Sequence, residues 1–262
     1  MQAYVKFAIK AFRKDFVYKA DYIFGILNTL VMIFVYIAIW KIIYNGQTVI
    51  EGVTFDEVVT NFILGLTVSQ AFILDDFMVA NKIFDGTISF DILRPVNFMG
   101  YLFSYNLGGV LFRILMQVFP AMFISIIIFG ILPPVSIGNF IISIISVALG
   151  LVIMFLISYI ISLIAFWFQN VWSIATIKNV LISTLAGIYV PIWCLPEPIQ
   201  KIISFTPFDS LYHAPISIYL GNFDFKVTCM AFIKQAIWII ILYIISSLMW
   251  KNAVKKLVHQ GG

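Results

Sequence analysis

Charge is scarce in this chain of 262 residues. Asp, Glu, Lys and Arg make up 11% of it, against about 25% in a soluble domain. Apolar residues make up 62%, more than a soluble fold of this size can bury and what a bilayer accepts. Cysteine is scarcer still. With only Cys194 and Cys229, neither a thiolate metal cage nor a disulfide framework can be built. Both lie in a segment read as outer, where one disulfide or two partly buried thiols are open and the sequence favours thiols. Two histidines, His213 and His259, are too few and too far apart for a metal site. No G-x-x-x-x-G-K-[ST] occurs to cradle a nucleotide phosphate, and no H-E-x-x-H or G-x-S-x-G to support hydrolysis. No catalytic, cofactor or metal residue is expected. The start of the chain lacks a continuous apolar core and a small-residue cleavage site, so no cleaved leader is expected.

What is present is long apolar stretches. A spanning helix needs about 20 apolar residues, and six candidates appear: 22–44, 58–74, 98–132, 140–168, 174–193 and 230–250. The third exceeds one span, so its first turns are expected at the interface or projecting from it. The class is an all-α integral membrane protein, one transmembrane domain over 1–262. Basic residues set its orientation. With a cytoplasmic N-terminus, the inner side holds Lys6, Lys10, Arg13, Lys14, Lys19, Lys82, Arg94, Lys178, Lys251, Lys255 and Lys256, and the outer side only Lys41, Lys201, Lys226 and Lys234. Six passes return the C-terminus to the cytoplasm.

Residues 1–19 read as an amphipathic interfacial helix. Val5, Ala8, Ile9, Phe12 and Phe16 recur at helical spacing opposite Lys6, Lys10, Arg13 and Lys14. That suits a helix in the membrane plane with its cations at anionic headgroups; a plain positive flank orienting the first span shares these facts.

Between spans two and three lies a polar elbow, 75–95, reading DDFMVANKIFDGTISFDILRP. Asp75 or Asp76 is expected to cap a short helix running to Phe84, Gly86 to end it through a left-handed turn, and Thr87 to cap a second turn over 88–93. Pro95 stops that turn. Phe77, Met78, Ile83, Phe84, Ile88, Phe90, Ile92 and Leu93 are more apolar residues than a plain connector needs. A compact unit can lay one face on the membrane and offer the other to a soluble partner; an interfacial helix without a partner is the alternative.

Polar residues at membrane depth mark function by default. Arg113 and Gln117 lie one turn apart in span three, as candidates for a pathway or interface. Asn61 and Gln70 in span two are candidates for the same role or for interhelical hydrogen bonding. Gln169 and Asn170 read as inner loop, and Lys178 as a side chain reaching the cytoplasmic interface. No carboxylate lies deep in a span, which weakens a proton-relay transporter. The outer stretch 194–224, broken by Pro196, Pro198, Pro207 and Pro215, reads as two short helices, 199–205 and 208–219, with Asp209 in the first turn of the second.

Ile83, Gly86, Ile88, Leu93 and Arg94-Pro95, placed between the second and third of six spans, resemble the membrane (permease) subunit of an ATP-binding-cassette (ABC) transporter of the type-2 permease family, mostly exporters. The outer FTPFDSLYHAPISIYLG is similar to the same family. The resemblance implies that the elbow is a coupling helix docking on a cytoplasmic ATPase through Asp76, Ile83, Phe84, Gly86, Thr87, Ile88, Leu93, Arg94 and Pro95. It implies that 1–19 is the connecting helix, and that a second permease subunit, the same chain or a paralogue, completes a pathway in the plasma membrane. ATP and Mg would then sit on the ATPase and not here; lipid, and no nucleic acid, is the other partner. The alternative is a stand-alone secondary transporter or channel. A membrane enzyme acting on lipid ranks behind both.

Overall fold

The structure, a computed structural model, describes residues 2–50, 52–168 and 170–260. Gln169 lies outside them. Helix α1 (Gln2–Asp15) passes through a short turn (Phe16–Tyr18) into α2 (Lys19–Tyr44). A small antiparallel hairpin follows, β1 (Val49–Ile50) and β2 (Val53–Thr54), with Val49 opposite Thr54 and Ile50 opposite Val53. It leads into α3 (Phe55–Ala71), then the elbow helices α4 (Met78–Phe84) and α5 (Ile88–Ile92).

The next helix is continuous but not uniform: α6 (Phe98–Arg113), a π turn (Ile114–Val118) and α7 (Phe119–Phe129). Pro120 has no N–H to donate. The wider turn just before it takes up the break, with Phe119 N–H reaching Ile114 O, five residues back. Gly130, at φ 74°, ends α7. Then come α8 (Ile137–Leu163), α9 (Trp172–Leu185), the short helices α10 (Glu197–Ser204) and α11 (His213–Leu220), and α12 (Phe225–Gln260).

Helix starts follow from short polar side chains. Thr54 and Glu57 form a capping box at α3, Thr54 N–H donating to Glu57 Oε2 (2.7 Å) and Glu57 N–H to Thr54 Oγ1 (3.2 Å). Asn97 Oδ1 accepts from Gly100 N–H at α6 (2.8 Å), and Ser136 Oγ from Asn139 N–H at α8 (3.0 Å).

Among the described residues, four helices are long and apolar enough to cross a membrane: Asp21–Tyr44, Phe98–Phe129, Ile137–Phe166 and Phe225–Lys256. The other two predicted spans differ from expectation. The capping box starts α3 at Phe55, three residues early, so the 17 residues expected over 58–74 fall instead over 55–71. Helix α9 has 14, because Gly187 (φ 80°) and Pro191 divert the chain beyond it.

Aromatic packing sorts the elements into two ends. At one, Phe98 stacks on Trp250 (4.3 Å) beside Phe166, and Phe7 of α1 meets Tyr101. At the other, Trp40 meets Trp193 (5.5 Å) and Phe62, and Tyr44 meets Phe55. Helix α1 runs beside α6 in the same direction: Tyr4 meets Asn97 and Gly100, and Asp15 meets Gly109. Its contact face is therefore Tyr4, Phe7, Ala8 and Ala11, while Val5, Ile9 and Phe16 of the predicted apolar stripe stay exposed.

The segment between α10 and α12 is fastened by polar contacts. Asp209, expected inside a helix, lies in the turn before α11 and pairs with Lys234 of α12 (2.6 Å), because that helix starts only at His213. One residue further along α12, Gln235 is fully buried. Its Nε2 donates to Ser146 O and Oγ on α8 (3.0 Å each) and to Ser210 O (2.9 Å). Gln235→Leu removes all three contacts and leaves the Ser210 carbonyl buried without that donor. The thermal midpoint of the detergent-solubilised protein should fall accordingly, by the equivalent of about 1–2 kcal/mol; an unchanged midpoint would show that the knot is incidental.

Candidate functional site

The elbow is a two-helix unit tied together by hydrogen bonds and ion pairs. Asp75 Oδ1 accepts from Phe77 N–H (3.0 Å) just before α4. Gly86 takes the left-handed conformation (φ 69°) that lets the chain turn after α4. Thr87 does not cap α5: its hydroxyl reaches back to Lys82 O (3.5 Å), and the turn is closed instead by Ser89 Oγ on Gly86 O (2.9 Å). Asp91 is buried and pairs with both Lys82 and Arg94, tying α5 to α4 and to the exit of the elbow. Burial works against the charge on Lys82, but Asp91 and Tyr101 outweigh it and hold its pKa above the ordinary lysine value.

Asp76 and Asp91 are buried and Lys82 is half-buried, while the elbow shows apolar side chains outward. Phe84 is 59% exposed, Phe90 68% and Leu93 80%. Gly86, Thr87, Arg94 and Pro95 are exposed beside them, while Ile83 is partly buried and Ile88 buried against the bundle. Val79 and Ala80 anchor α4, Ala80 packing with Ala165 and Val171.

Asp76 caps nothing and does not face outward. It is 4% exposed and accepts from Lys178 Nζ through both carboxylate oxygens (2.8 and 2.6 Å); Lys178 Nζ also donates to Ser158 Oγ (3.1 Å). Lys178, expected at the interface, is 7% exposed for that reason. The pair forms part of the wall of a cavity of about 350 Å³ lined also by Gln70, Asn179, Ser183, Tyr189 and Tyr212.

The other predicted polar residues scatter. Gln117 is buried, and its Nε2 donates to Gln70 Oε1 (2.9 Å), joining α3 to the π turn. Gly25 makes room for it, since a Cβ there would come within 2.6 Å of Gln117 Nε2. Arg113 Nη2 donates to Ile73 O, which ties α6 to the end of α3. Asn61 Nδ2 is buried with no hydrogen-bond partner among the described residues, so it makes no interhelical bond through that nitrogen. Only Gln70 of these four lines the cavity.

Four membrane-length apolar helices packed together are the build of an all-α membrane protein. The family model of the ABC-2 family transporter proteins matches residues 30–261, and the chain belongs to that family. It is thus a transmembrane permease of the ABC transporter class; permeases of this family are the membrane transport component and generally work with an ATP-binding-cassette ATPase. No match is found among curated proteins.

Proposed function

We propose that this chain is the permease subunit of an ATP-driven exporter whose separate cytoplasmic ATPase docks on the elbow. The observation that carries the reading is the exposed set Phe84, Phe90 and Leu93 on a unit tied together by the ion pairs of Lys82 and Arg94 with the buried Asp91. Ordered apolar anchors on a rigid support are what a protein interface uses for affinity. Phe84, Gly86, Thr87, Leu93, Arg94 and Pro95 meet the ATPase, with Ile83 at the rim. Ile88 and Asp76 hold the elbow from behind. ATP and Mg bind on the ATPase, and two permease subunits, identical or paralogous, enclose the pathway in the plasma membrane.

The chain passes six times, with both termini in the cytoplasm. The excess of Lys and Arg at the elbow end supports this orientation. The course of the short α9 supports the count. Val171, just before it, packs at the elbow, and Trp193, beyond it, packs at the hairpin end. At 1.5 Å per residue its helical part covers only about 21 Å, and the extended chain after it makes up the rest.

The test is co-purification of the tagged chain from its native membrane. An ATPase carrying a phosphate-binding loop should be retained, and Phe84→Asp or Leu93→Asp should lower retention by more than about tenfold, the loss expected of an interface anchor. The variant permease should remain monodisperse. Equal retention by both variants, or ion-gradient-driven flux through the chain alone in liposomes, would overturn the proposal.

A further inference from the structure

The Asp76–Lys178 pair joins three parts of the molecule. Asp76 belongs to the segment that turns into α4, two residues before Met78. Lys178 lies midway along α9, and Ser158, its third contact, lies on α8. The same face of α9 gives Lys178, Asn179, Ile182 and Ser183 to the cavity wall. The elbow and the cavity therefore share one ionic contact.

Stability does not account for keeping it. Taking two charges out of water opposes their mutual attraction, and well-packed apolar side chains of similar size commonly serve a buried site as well or better. What the ion pair adds is direction. Lys178 holds both carboxylate oxygens at 2.6–2.8 Å, so Asp76 cannot shift without drawing the lysine along or breaking the contact. The apolar contacts beside it, Ala80 against Ala165 and Val171, can slide without such a penalty. Lys178 Nζ spends its donors on Asp76 and Ser158, so it carries no free charge toward the cavity.

We infer that the Asp76–Lys178 ion pair is the link that carries displacement of the elbow into α9 and so changes the shape of the cavity. Both residues act by positioning. The inference rests on the reading that an ATPase drives the elbow.

The experiment uses the permease assembled with its ATPase in nanodiscs, with Cys194 and Cys229 replaced by serine. One reporter cysteine is placed either on the cavity face of α9 (Ser183→Cys) or on the elbow at the exposed Asn81 of α4, outside the docking set (Asn81→Cys). The reading is the rate of maleimide labelling, without nucleotide and with ATP plus vanadate. In the parent both reporters should change rate severalfold with ATP. In the Asp76→Leu/Lys178→Met pair, chosen to keep the volume filled, the elbow reporter should still respond and the α9 reporter should not. The reversed pair, Asp76→Lys/Lys178→Asp, should restore the α9 response. An α9 response that persists in the apolar pair overturns the inference, as does a folded reversed pair that fails to restore it. An elbow reporter indifferent to ATP in the parent overturns the docking reading itself, and the link with it.

Discussion

Lys178→Met alone, with Asp76 retained, should destabilise the folded permease by about 3–5 kcal/mol, the cost of leaving a buried carboxylate without its counter-charge. Asp76 is almost fully enclosed, and among its hydrogen bonds both those to a side chain come from Lys178. Asp76→Leu alone should cost a similar amount, since it strands the ammonium with Ser158 Oγ as its remaining contact. The two changes together should return stability to within about 1 kcal/mol of the parent, or above it. Denaturant unfolding in mixed micelles, analysed as a double-mutant cycle, measures this coupling. Additive single effects, or single losses below about 0.5 kcal/mol, would mean that the carboxylate and ammonium are solvated and that the pair has no structural weight. This measurement needs neither partner nor nucleotide, so it stands apart from the docking proposal.

The second large effect is expected at Gly108. A Cβ there would collide with the backbone carbonyl of Ala8 and come within 2.9 Å of Ala11 Cβ. The obstacle is helix backbone, which cannot turn aside as a flexible side chain does. Gly108→Val should therefore separate α1 from α6. The T-shaped contacts of Phe7 with Tyr101 and Phe12 with Phe112 go with it, as does the bond from Lys14 Nζ to Tyr105 Oη. The four cations of α1 then become accessible backbone sites. Limited trypsin digestion should cleave at Lys6, Lys10, Arg13 or Lys14 at least about tenfold faster than in the parent, the effect of losing 1.4 kcal/mol or more of local protection. Gly138→Val is the control, since a Cβ at that position would meet nothing nearer than the Ser136 hydroxyl at 3.5 Å. Equal cleavage in Gly108→Val and the control would show that α1 is not held by this contact.

Much of the architecture could be read from residues whose physics is local. The apolar runs gave the membrane class because a bilayer is the solvent that accepts them. Gly86 marked the end of α4 because few other residues adopt its backbone conformation. Phe84 and Leu93 were recognisable as too apolar for a connector. The start of α3 was legible but missed: Thr54-Phe55-Asp56-Glu57 carries the spacing of a capping box. The π turn also had a signal in Pro120, an interior proline in an otherwise continuous helix.

The partnerships of charged residues were not legible. Asp76 and Lys178 are 102 positions apart, and nothing in the spacing of either indicates the other. Asp76 beside Asp75 looked like a helix cap, and a lone lysine near a span end looked like a snorkelling side chain. Each is the commoner outcome for its local pattern, and only the packing of α9 against the elbow reverses both. Asp209 and Lys234 were separated in the same way by the turn ahead of α11.

The wider turn at Ile114–Val118 has a mechanical consequence. It adds one residue to the winding of the helix, so α6 and α7 are out of phase by roughly 100° relative to an unbroken α-helix. The first half is clasped by α1, and the second rests on α2 and α3. Each half therefore turns its own set of side chains to a different neighbour, which an unbroken α-helix of the same length would not allow.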